Sequence, residues 1–238
     1  MNIPYYFDLH THSLASGHGT ASTISDMAKT AAARGLSALG VSDHAPGTLG
    51  SATESYFRSL ALAPRRRFGL QLLYGVELDI LDVNGRLDLS DEILSSLDYA
   101  IASMHPANFT PRSKAENTEA CIHAMKHPKV RILGHCDDSR YPVDYPAIVQ
   151  AALEYQVFPE INNASLAPDG CRGEAEENIM KLLTYCAAAG CPVLLSSDSH
   201  GTEHLGDFSY AEALLARLHF PQELILNRSM DHLAFFKH

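Results

Sequence analysis

Three histidines stand close together near the start of the chain, at positions 10, 12 and 18. The first two belong to the run Phe7-Asp8-Leu9-His10-Thr11-His12, which begins as a strand. Side chains two positions apart in a strand point to the same face, so His10 and His12 can bind one metal ion while Leu9 and Thr11 face the other way. The spacing therefore predicts a metal site, to which later parts of the chain would contribute further ligands.

The elements that would position these ligands are seven short apolar segments that recur along the chain. Each is continuous and rich in branched or aromatic residues, which is typical of strands buried on both faces of a parallel sheet. The segments are 5–10, 39–42, 72–76, 99–102, 130–133, 157–161 and 193–195. Their spacing leaves room for helical crossovers, and 238 residues is the length of one strand-helix barrel. We therefore expect a single α/β domain over residues 1–238.

Helix start and stop signals occur between these strands. They predict helices over residues 25–34, 115–126, 145–155, 174–189, 210–218 and 231–236. One interruption is the pair Asn84-Gly85, which lies between two apolar runs and is a strong signal of a two-residue turn. It predicts a small hairpin insertion near residues 77–89, after the third strand.

Residues with metal-ligand chemistry follow six of the seven strands. In chain order, the residues at the strand ends are His10, His44, Glu77, His105, His135, Asn162 and Asp198. Strand-helix barrels place the active site at this carboxyl face, where the ends of different strands converge. Adding the nearby histidines gives nine candidate ligands: His10, His12, His18, His44, Glu77, His105, His135, Asp198 and His200. A catalytic zinc usually has three protein ligands, so nine candidates indicate two or three ions.

A purely structural role is the alternative for each of these residues. A lone histidine near a strand end is usually a hydrogen-bonded core or rim residue, and we assign the remaining six histidines, at 123, 127, 204, 219, 232 and 238, to that class. A cap or a salt bridge would explain Glu77 or Asp198 alone. Structural causes do not readily place ligand types at six of seven strand ends, so the group as a whole favours metal binding.

Composition limits the classes of partner. With 18 basic and 28 acidic residues the formal net charge is -10, which disfavours extended nucleic acid despite the run Arg65-Arg66-Arg67, expected on the face of a helix. No apolar run is long enough to span a membrane, and Met1-Asn2-Ile3-Pro4 lacks the order of a signal peptide, so a cytoplasmic location is expected. Five cysteines without a C-x-x-C pair predict reduced thiols.

The combined motifs resemble the PHP (polymerase and histidinol phosphatase) superfamily, and most closely its small YcdX-type phosphatases. The resemblance covers almost the whole chain. It rests on Asp8-Leu9-His10-Thr11-His12, Ser42-Asp43-His44, Gly75-Val76-Glu77, the isolated His105 and His135, Glu160-Ile161-Asn162-Asn163, and Ser196-Ser197-Asp198-Ser199-His200.

This resemblance implies a distorted seven-stranded (β/α)7 TIM-like barrel that holds three divalent ions, commonly zinc, with manganese or iron in some members. It implies that one ion is bound by His10, His12, Glu77 and Asp198, and that Glu77 bridges to a second ion at His105 and His135. The third ion would be bound by His18, His44 and His200. Two positions depart from the family pattern: Pro106-Ala107 replace a Glu-Pro pair, and Cys136 replaces a proline.

The predicted chemistry is hydrolysis of a small phosphomonoester by a metal-activated hydroxide, with Glu77, Asp198 and His200 as catalytic residues. Three divalent ions outweigh two carboxylates, so the centre would attract an anionic substrate. Arg112, Lys114 and Arg140 are candidate phosphate contacts. The competing interpretations are an amidohydrolase, a nuclease, and a catalytically idle metal-binding or regulatory module. The resemblance also leaves a homo-oligomer open.

Overall fold

A computed structural model describes residues 5–237 and shows an α/β fold of short, mainly parallel strands alternating with helices. The strands are β1 (Phe7–Asp8), β2 (Thr11–His12), β3 (Ala38–Val41), β4 (Arg66–Arg67), β5 (Leu70–Tyr74), β6 (Glu77–Asp79), β7 (Ala100–Ser103), β8 (Val130–Leu133), β9 (Phe158–Asn162), β10 (Leu194–Ser196) and β11 (Ser199–His200). The α-helices are α1 (Ile24–Ala33), α2 (Glu54–Leu60), α3 (Asp91–Leu94), α4 (Lys114–Met125), α5 (Tyr145–Tyr155), α6 (Ala175–Ala189) and α7 (Ser209–Arg217). Short 3-10 helices lie at Leu14–Ser16, Ala164–Leu166, Gln222–Leu224, Leu226–Arg228 and Met230–Phe236. The run Met1-Asn2-Ile3-Pro4, which lacks the order of a signal peptide, lies outside the described residues.

The strands form three hydrogen-bonded sheets. Their orders are β1-β3-β5-β4, β10-β9-β8-β7-β6 and β11-β2, and every pair is parallel except β4 with β5. The α/β class with parallel sheets agrees with the sequence. A closed seven-stranded barrel is not detected among residues 5–237, so that finer prediction is not confirmed.

The strands are interrupted close to the candidate ligands. The first, third and seventh predicted strands correspond to β1, β5 and β10, and each is followed after a short break by a further short strand, β2, β6 or β11. Gly75 lies at the second break, where a Cβ atom would come within 2.6 Å of the Tyr99 ring. Asp198 lies at the third with a φ of 51°, in the left-handed region that non-glycine residues seldom adopt. At each break the backbone leaves regular strand geometry, so the chain changes direction next to residues predicted to bind metal.

Local capping chemistry explains where the predicted helices begin and end. Thr23 before α1 and Ser113 before α4 each form a capping box with an acidic residue three positions later. Gly190 ends α6 in the left-handed conformation. The predicted helices over 25–34, 115–126, 145–155, 174–189 and 210–218 all match observed helices to within one residue at each end.

The structure also tests the predictions for the arginine run, the last helix and the Asn84-Gly85 turn. Arg66 and Arg67 form strand β4, so the helical placement of the arginine run is wrong; the run continues into a hairpin with β5. The segment predicted as a helix over 231–236 is a 3-10 helix. Near Asn84-Gly85 the chain turns back, with an antiparallel bridge between Ile80 and Leu87.

Buried apolar side chains form two clusters that support the strand ends. The larger lies between the sheets and the helices. The smaller joins Phe7, Leu9, Tyr99 and further residues in or next to the strands to Phe236 of the last 3-10 helix. None of the helices in residues 5–237 has the length and apolar character needed to cross a membrane.

Candidate metal centre

Glu77 is the central residue of the predicted ligand group. It begins β6 and is 2% exposed. Its Oε2 atom lies 3.3 Å from His10 Nε2, 3.5 Å from His12 Nε2 and 2.9 Å from His44 Nδ1. Its Oε1 atom lies 3.4 Å from His105 Nε2 and 3.0 Å from His135 Nε2. One carboxylate therefore faces five imidazole rings, of which His12 ends β2 and the other four follow β1, β3, β7 and β8.

The remaining candidate ligands adjoin this group. Asp198 Oδ1 lies 3.5 Å from His10 Nε2 and 3.3 Å from His12 Nε2. The ring centroid of His200 lies 4.2 Å from that of His12, and His200 Nε2 lies 3.2 Å from His18 Nε2. The structure thus brings all nine predicted ligand side chains together at the carboxyl ends of the strands.

The nitrogen atoms that face the carboxylates fit metal binding. His10 Nε2, His12 Nε2 and His44 Nδ1 are buried and make no hydrogen bond to a described residue. A buried polar atom without a partner is costly, so three of them at one point require an explanation. Ligand atoms of three overlapping groups lie within 4.8 Å of one another: His12, His44 and His200; His10, His12 and Glu77; His44, Glu77 and His105. Imidazole and carboxylate donors of this kind suit zinc, manganese or iron.

Electrostatics keep the two carboxylates ionised. Burial acts to raise the pKa of Glu77, but the neighbouring His10 and His105 lower it well below its usual value. The pKa of Asp198 is likewise well below its usual value, because His10 and Arg172 outweigh burial. Burial, together with the nearby His44, lowers the pKa of His12. These are the protonation states that metal ligands need.

His10 behaves differently from His12. Burial acts to lower its pKa, but the carboxylates of Glu160, Glu77 and Asp198 raise it well above the usual range. Metal binding at His10 therefore has to release a proton, as is general for protonated ligands.

A second layer of side chains holds the rings from behind. His10 Nδ1 donates to Glu160 Oε1 at 2.5 Å, and His105 Nδ1 donates to Asp79 Oδ1 at 2.6 Å. His12 Nδ1 lies 2.9 Å from the hydroxyl of Ser16. Such partners orient metal-binding imidazoles. Sequence reasoning singled out none of them as site residues, although Glu160 is an acid inside an apolar strand, which is a usable signal.

A cavity of about 500 Å³ adjoins the centre beside Asp198 and His200. Its lining includes Arg172, whose Nη2 donates to Asp198 Oδ2 at 2.8 Å and whose side chain is 13% exposed. Sequence reasoning missed Arg172 because it lies in the loop between β9 and α6, where no periodic pattern marks it. It is a largely buried cation that contacts a predicted ligand and lines the cavity.

None of the three predicted phosphate contacts lines this cavity. Lys114 pairs with Asp144, and Arg140 pairs with Asp138. Arg112 is exposed. Among residues 5–237 the cavity lining contains Arg172 and none of these three, whose role in substrate binding stays a prediction.

Of the positions that depart from the family pattern, Pro106 and Ala107 are exposed and Cys136 lies in the core. Cys136 is buried, and its carbonyl oxygen accepts a hydrogen bond from the hydroxyl of Tyr145. All five cysteines are free, as predicted, and only Cys171 is exposed.

Seven imidazoles and two carboxylates gather at the carboxyl ends of parallel strands beside a cavity, an arrangement typical of metal-dependent hydrolases. The family described as PHP domain matches residues 8–164. A probable phosphatase of Clostridium acetobutylicum is 39% identical over 225 residues, which cover 94% of this chain and 91% of that protein. A probable phosphatase of Caldanaerobacter subterraneus is 38% identical over 232 residues, covering 97% and 90%. This chain belongs to the PHP domain family.

A solved structure shows the same fold. Histidinol phosphate phosphatase from Lactococcus lactis, in complex with zinc, L-histidinol and phosphate, aligns with a TM-score of 0.62 at 19% identity. The alignment covers 91% of this chain and 95% of that one. At this identity the likeness concerns the fold.

Proposed function

We propose that this protein is a metal-dependent phosphatase that hydrolyses a small phosphomonoester. The observation that carries the proposal is the convergence of three buried, unpartnered imidazole nitrogens on the carboxylates of Glu77 and Asp198. Two relatives with 38–39% identity over nearly the whole chain are named as phosphatases, which supports the same class of reaction.

We assign the nine ligands to three ions, most simply zinc, with manganese or iron as alternatives. His10, His12, Glu77 and Asp198 would bind the first, and His105 and His135 would bind the second with Glu77 as the bridge. The two oxygens of Glu77 support this bridge, since Oε2 faces the first pair of histidines and Oε1 faces the second. His18, His44 and His200 would bind the third. His44 also lies against Glu77 Oε2, so the first and third sets meet at this oxygen.

The bound ions would supply positive charge for the phosphoryl oxygens and would activate a water molecule at neutral pH. The chain's own groups position the reactants. Glu77, Asp198 and His200 would hold the ions, and Arg172 adds a fixed positive charge to the cavity that Asp198 and His200 help to line. A local positive charge in a protein of net charge -10 would direct an anionic ester to the centre.

The dimensions of the site support a small substrate. A cavity of about 500 Å³ lies within the usual range of small-molecule sites, ~300 to 1,000 Å³. An extended nucleic acid would meet an acidic protein, and the arginines at 65 and 67 are engaged with Asp98 and Ser25.

A substrate panel with matched variants tests the proposal. Phosphate release from small phosphomonoesters should be metal-dependent, and it should fall by at least ~100-fold in His10→Ala and Asp198→Ala. His219→Ala, in a loop after α7, should keep wild-type activity. Faster turnover of amides or of DNA would favour an amidohydrolase or a nuclease. A full complement of ions without turnover of any substrate would favour an idle metal-binding module.

A further inference from the structure

Glu160 lies in the middle of β9 and is fully buried. The flanking residues Phe158 and Ile161 are apolar and buried as well. An isolated carboxylate in such surroundings is very costly unless it is hydrogen-bonded on all sides. The partners of Glu160 therefore identify what the residue does.

Both carboxylate oxygens of Glu160 are engaged. Oε1 accepts from His10 Nδ1 at 2.5 Å and from the hydroxyl of Ser196 through a short hydrogen bond. Oε2 accepts from the backbone N–H of His135 at 2.6 Å and from Asn162 Nδ2 at 3.2 Å. A single side chain thus contacts two predicted ligands, His10 and His135, which the proposed arrangement gives to different ions.

The contact with His10 decides which ring nitrogen is free. An ionised carboxylate can only accept, so Nδ1 must carry a hydrogen. Nε2 is then the nitrogen available to a metal, and it lies 3.3 Å from Glu77 Oε2 and 3.5 Å from Asp198 Oδ1. Glu160 selects the orientation in which His10 can act as a ligand.

The contact with His135 involves an unusual backbone. His135 has a φ of 23°, one of five positive values among the non-glycine residues described. Such a conformation is costly and persists only where the surroundings enforce it. The hydrogen bond from the His135 N–H to Glu160 helps to hold this conformation, which places Nε2 of His135 at 3.0 Å from Glu77 Oε1. Asp79, by comparison, contacts only one predicted ligand ring, that of His105.

We propose that Glu160 is a positioning residue that orients His10 and His135 together, so that loss of its side chain weakens two metal sites at once. The proposal rests on the proposed function for the identity of the ligands. Glu160 itself is not among the residues that line the cavity.

Glu160→Gln is the informative substitution because it preserves volume. The amide has one acceptor oxygen, so its NH2 group must face either the His135 N–H or His10 Nδ1. The first choice places the amide NH2 against the His135 N–H, so that two hydrogen-bond donors face each other. The second requires Nδ1 to accept and puts the ring hydrogen on Nε2, where it blocks metal binding.

The experiment is a zinc titration of chelator-treated full-length protein against a competing chromophoric chelator, with ions per chain counted on the same samples. We expect Glu160→Ala, which removes both contacts, to lose affinity by ~10–100-fold at two of the wild-type sites, and Glu160→Gln, which disturbs one of them, at one site at least. Asp98→Asn is the matched control, because Asp98 is also a buried carboxylate that accepts a hydrogen bond from a backbone N–H, that of Tyr74. Asp98 precedes β7 and so lies at the opposite end of that strand from His105. It should bind zinc within twofold of wild type. Wild-type affinity and stoichiometry in Glu160→Gln would overturn the proposal.

A second measurement needs no variant and so does not depend on whether Glu160→Gln folds. Nitrogen-15 histidine spectra of the zinc-loaded wild-type protein should show His10 protonated at Nδ1 and metal-bound at Nε2; the opposite arrangement would overturn the proposal. Neither test uses turnover. Zinc binding as expected without phosphate release would therefore reject the proposed function alone, whereas phosphate release with unchanged affinity in Glu160→Gln would reject the role of Glu160 alone.

Discussion

Replacing Glu77 by glutamine should remove the residue that joins the predicted metal sites. Its two oxygens face different groups of rings, with His10 and His12 on one side and His105 and His135 on the other. Glutamine keeps one oxygen and turns an NH2 group toward the other side. We therefore expect Glu77→Gln to bind at least one ion fewer than the wild-type protein.

The size of the effect follows from linkage between binding and folding. One site adds about 2.7 kcal/mol to the free energy of unfolding when the free ligand is at about 100 times its Kd. For a chain of this length, 1 kcal/mol corresponds to about 2–4 °C in Tm. Each lost site should therefore remove about 5–11 °C from the rise in Tm that zinc produces.

The assay is calorimetry on chelator-treated protein with and without zinc, together with a count of bound ions. Glu119→Gln is the matched control, because it makes the same chemical change on an exposed position of α4. It should show the full wild-type rise in Tm. If Glu77→Gln bound as many ions as the wild type and showed the same rise, the bridging role of Glu77 would be refuted.

Three further predictions concern the surroundings of the centre. Arg172→Gln should raise KM for a phosphomonoester by about tenfold, through loss of a charged hydrogen bond of ~1.4 kcal/mol, as measured by steady-state kinetics. Asp88→Asn should flatten the pH dependence of the free energy of unfolding. Burial and the charge of Asp79 raise the pKa of Asp88 to about 7. The protonated Asp88 therefore stabilises the folded protein fully below about pH 4, and this stabilisation is lost as the pH rises toward 7. Urea unfolding of chelator-treated protein across that range measures the difference. Gly75→Ala should lower the free energy of unfolding by about 1–3 kcal/mol, because its Cβ would lie 2.6 Å from the Tyr99 ring.

Each of these outcomes has a clear contrary result. An unchanged KM in Arg172→Gln would place the phosphate contact on another residue, and Arg112→Gln and Arg140→Gln would then be measured in the same assay. Parallel pH profiles for wild type and Asp88→Asn would show that this carboxyl group titrates normally in the folded protein. An unchanged urea midpoint in Gly75→Ala would mean that the aromatic ring can move aside.

The sequence predicted the elements well because their signals are local. Continuous apolar runs located the strands, and capping residues such as Thr23, Ser113 and Gly190 fixed the helix ends. The breaks in the strands were not predicted, since they depend on tertiary contacts such as that between Gly75 and Tyr99. Helix α2 was missed for a related reason: it is short, and its stability comes from burying Phe57 and Leu60.

The candidate ligands were predictable because each follows a strand whose end could be located. The residues behind them were not, since their roles depend on pairs that are distant in sequence. Glu160 and His10 are separated by 150 positions, and Arg172 and Asp198 by 26. The arginine run at 65–67 was expected on the face of a helix. Its hairpin pairing with β5 makes Arg66 and Arg67 a strand instead.

The most direct test of metal-dependent phosphatase activity is to measure phosphate release and metal content on the same sample as ions are restored to chelator-treated protein. Because His10, His12 and His44 present unpartnered nitrogens to Glu77 and Asp198, we expect negligible release from metal-free protein and a rate that rises with the number of ions bound per chain. Undiminished phosphate release from protein shown to contain no metal would contradict the account.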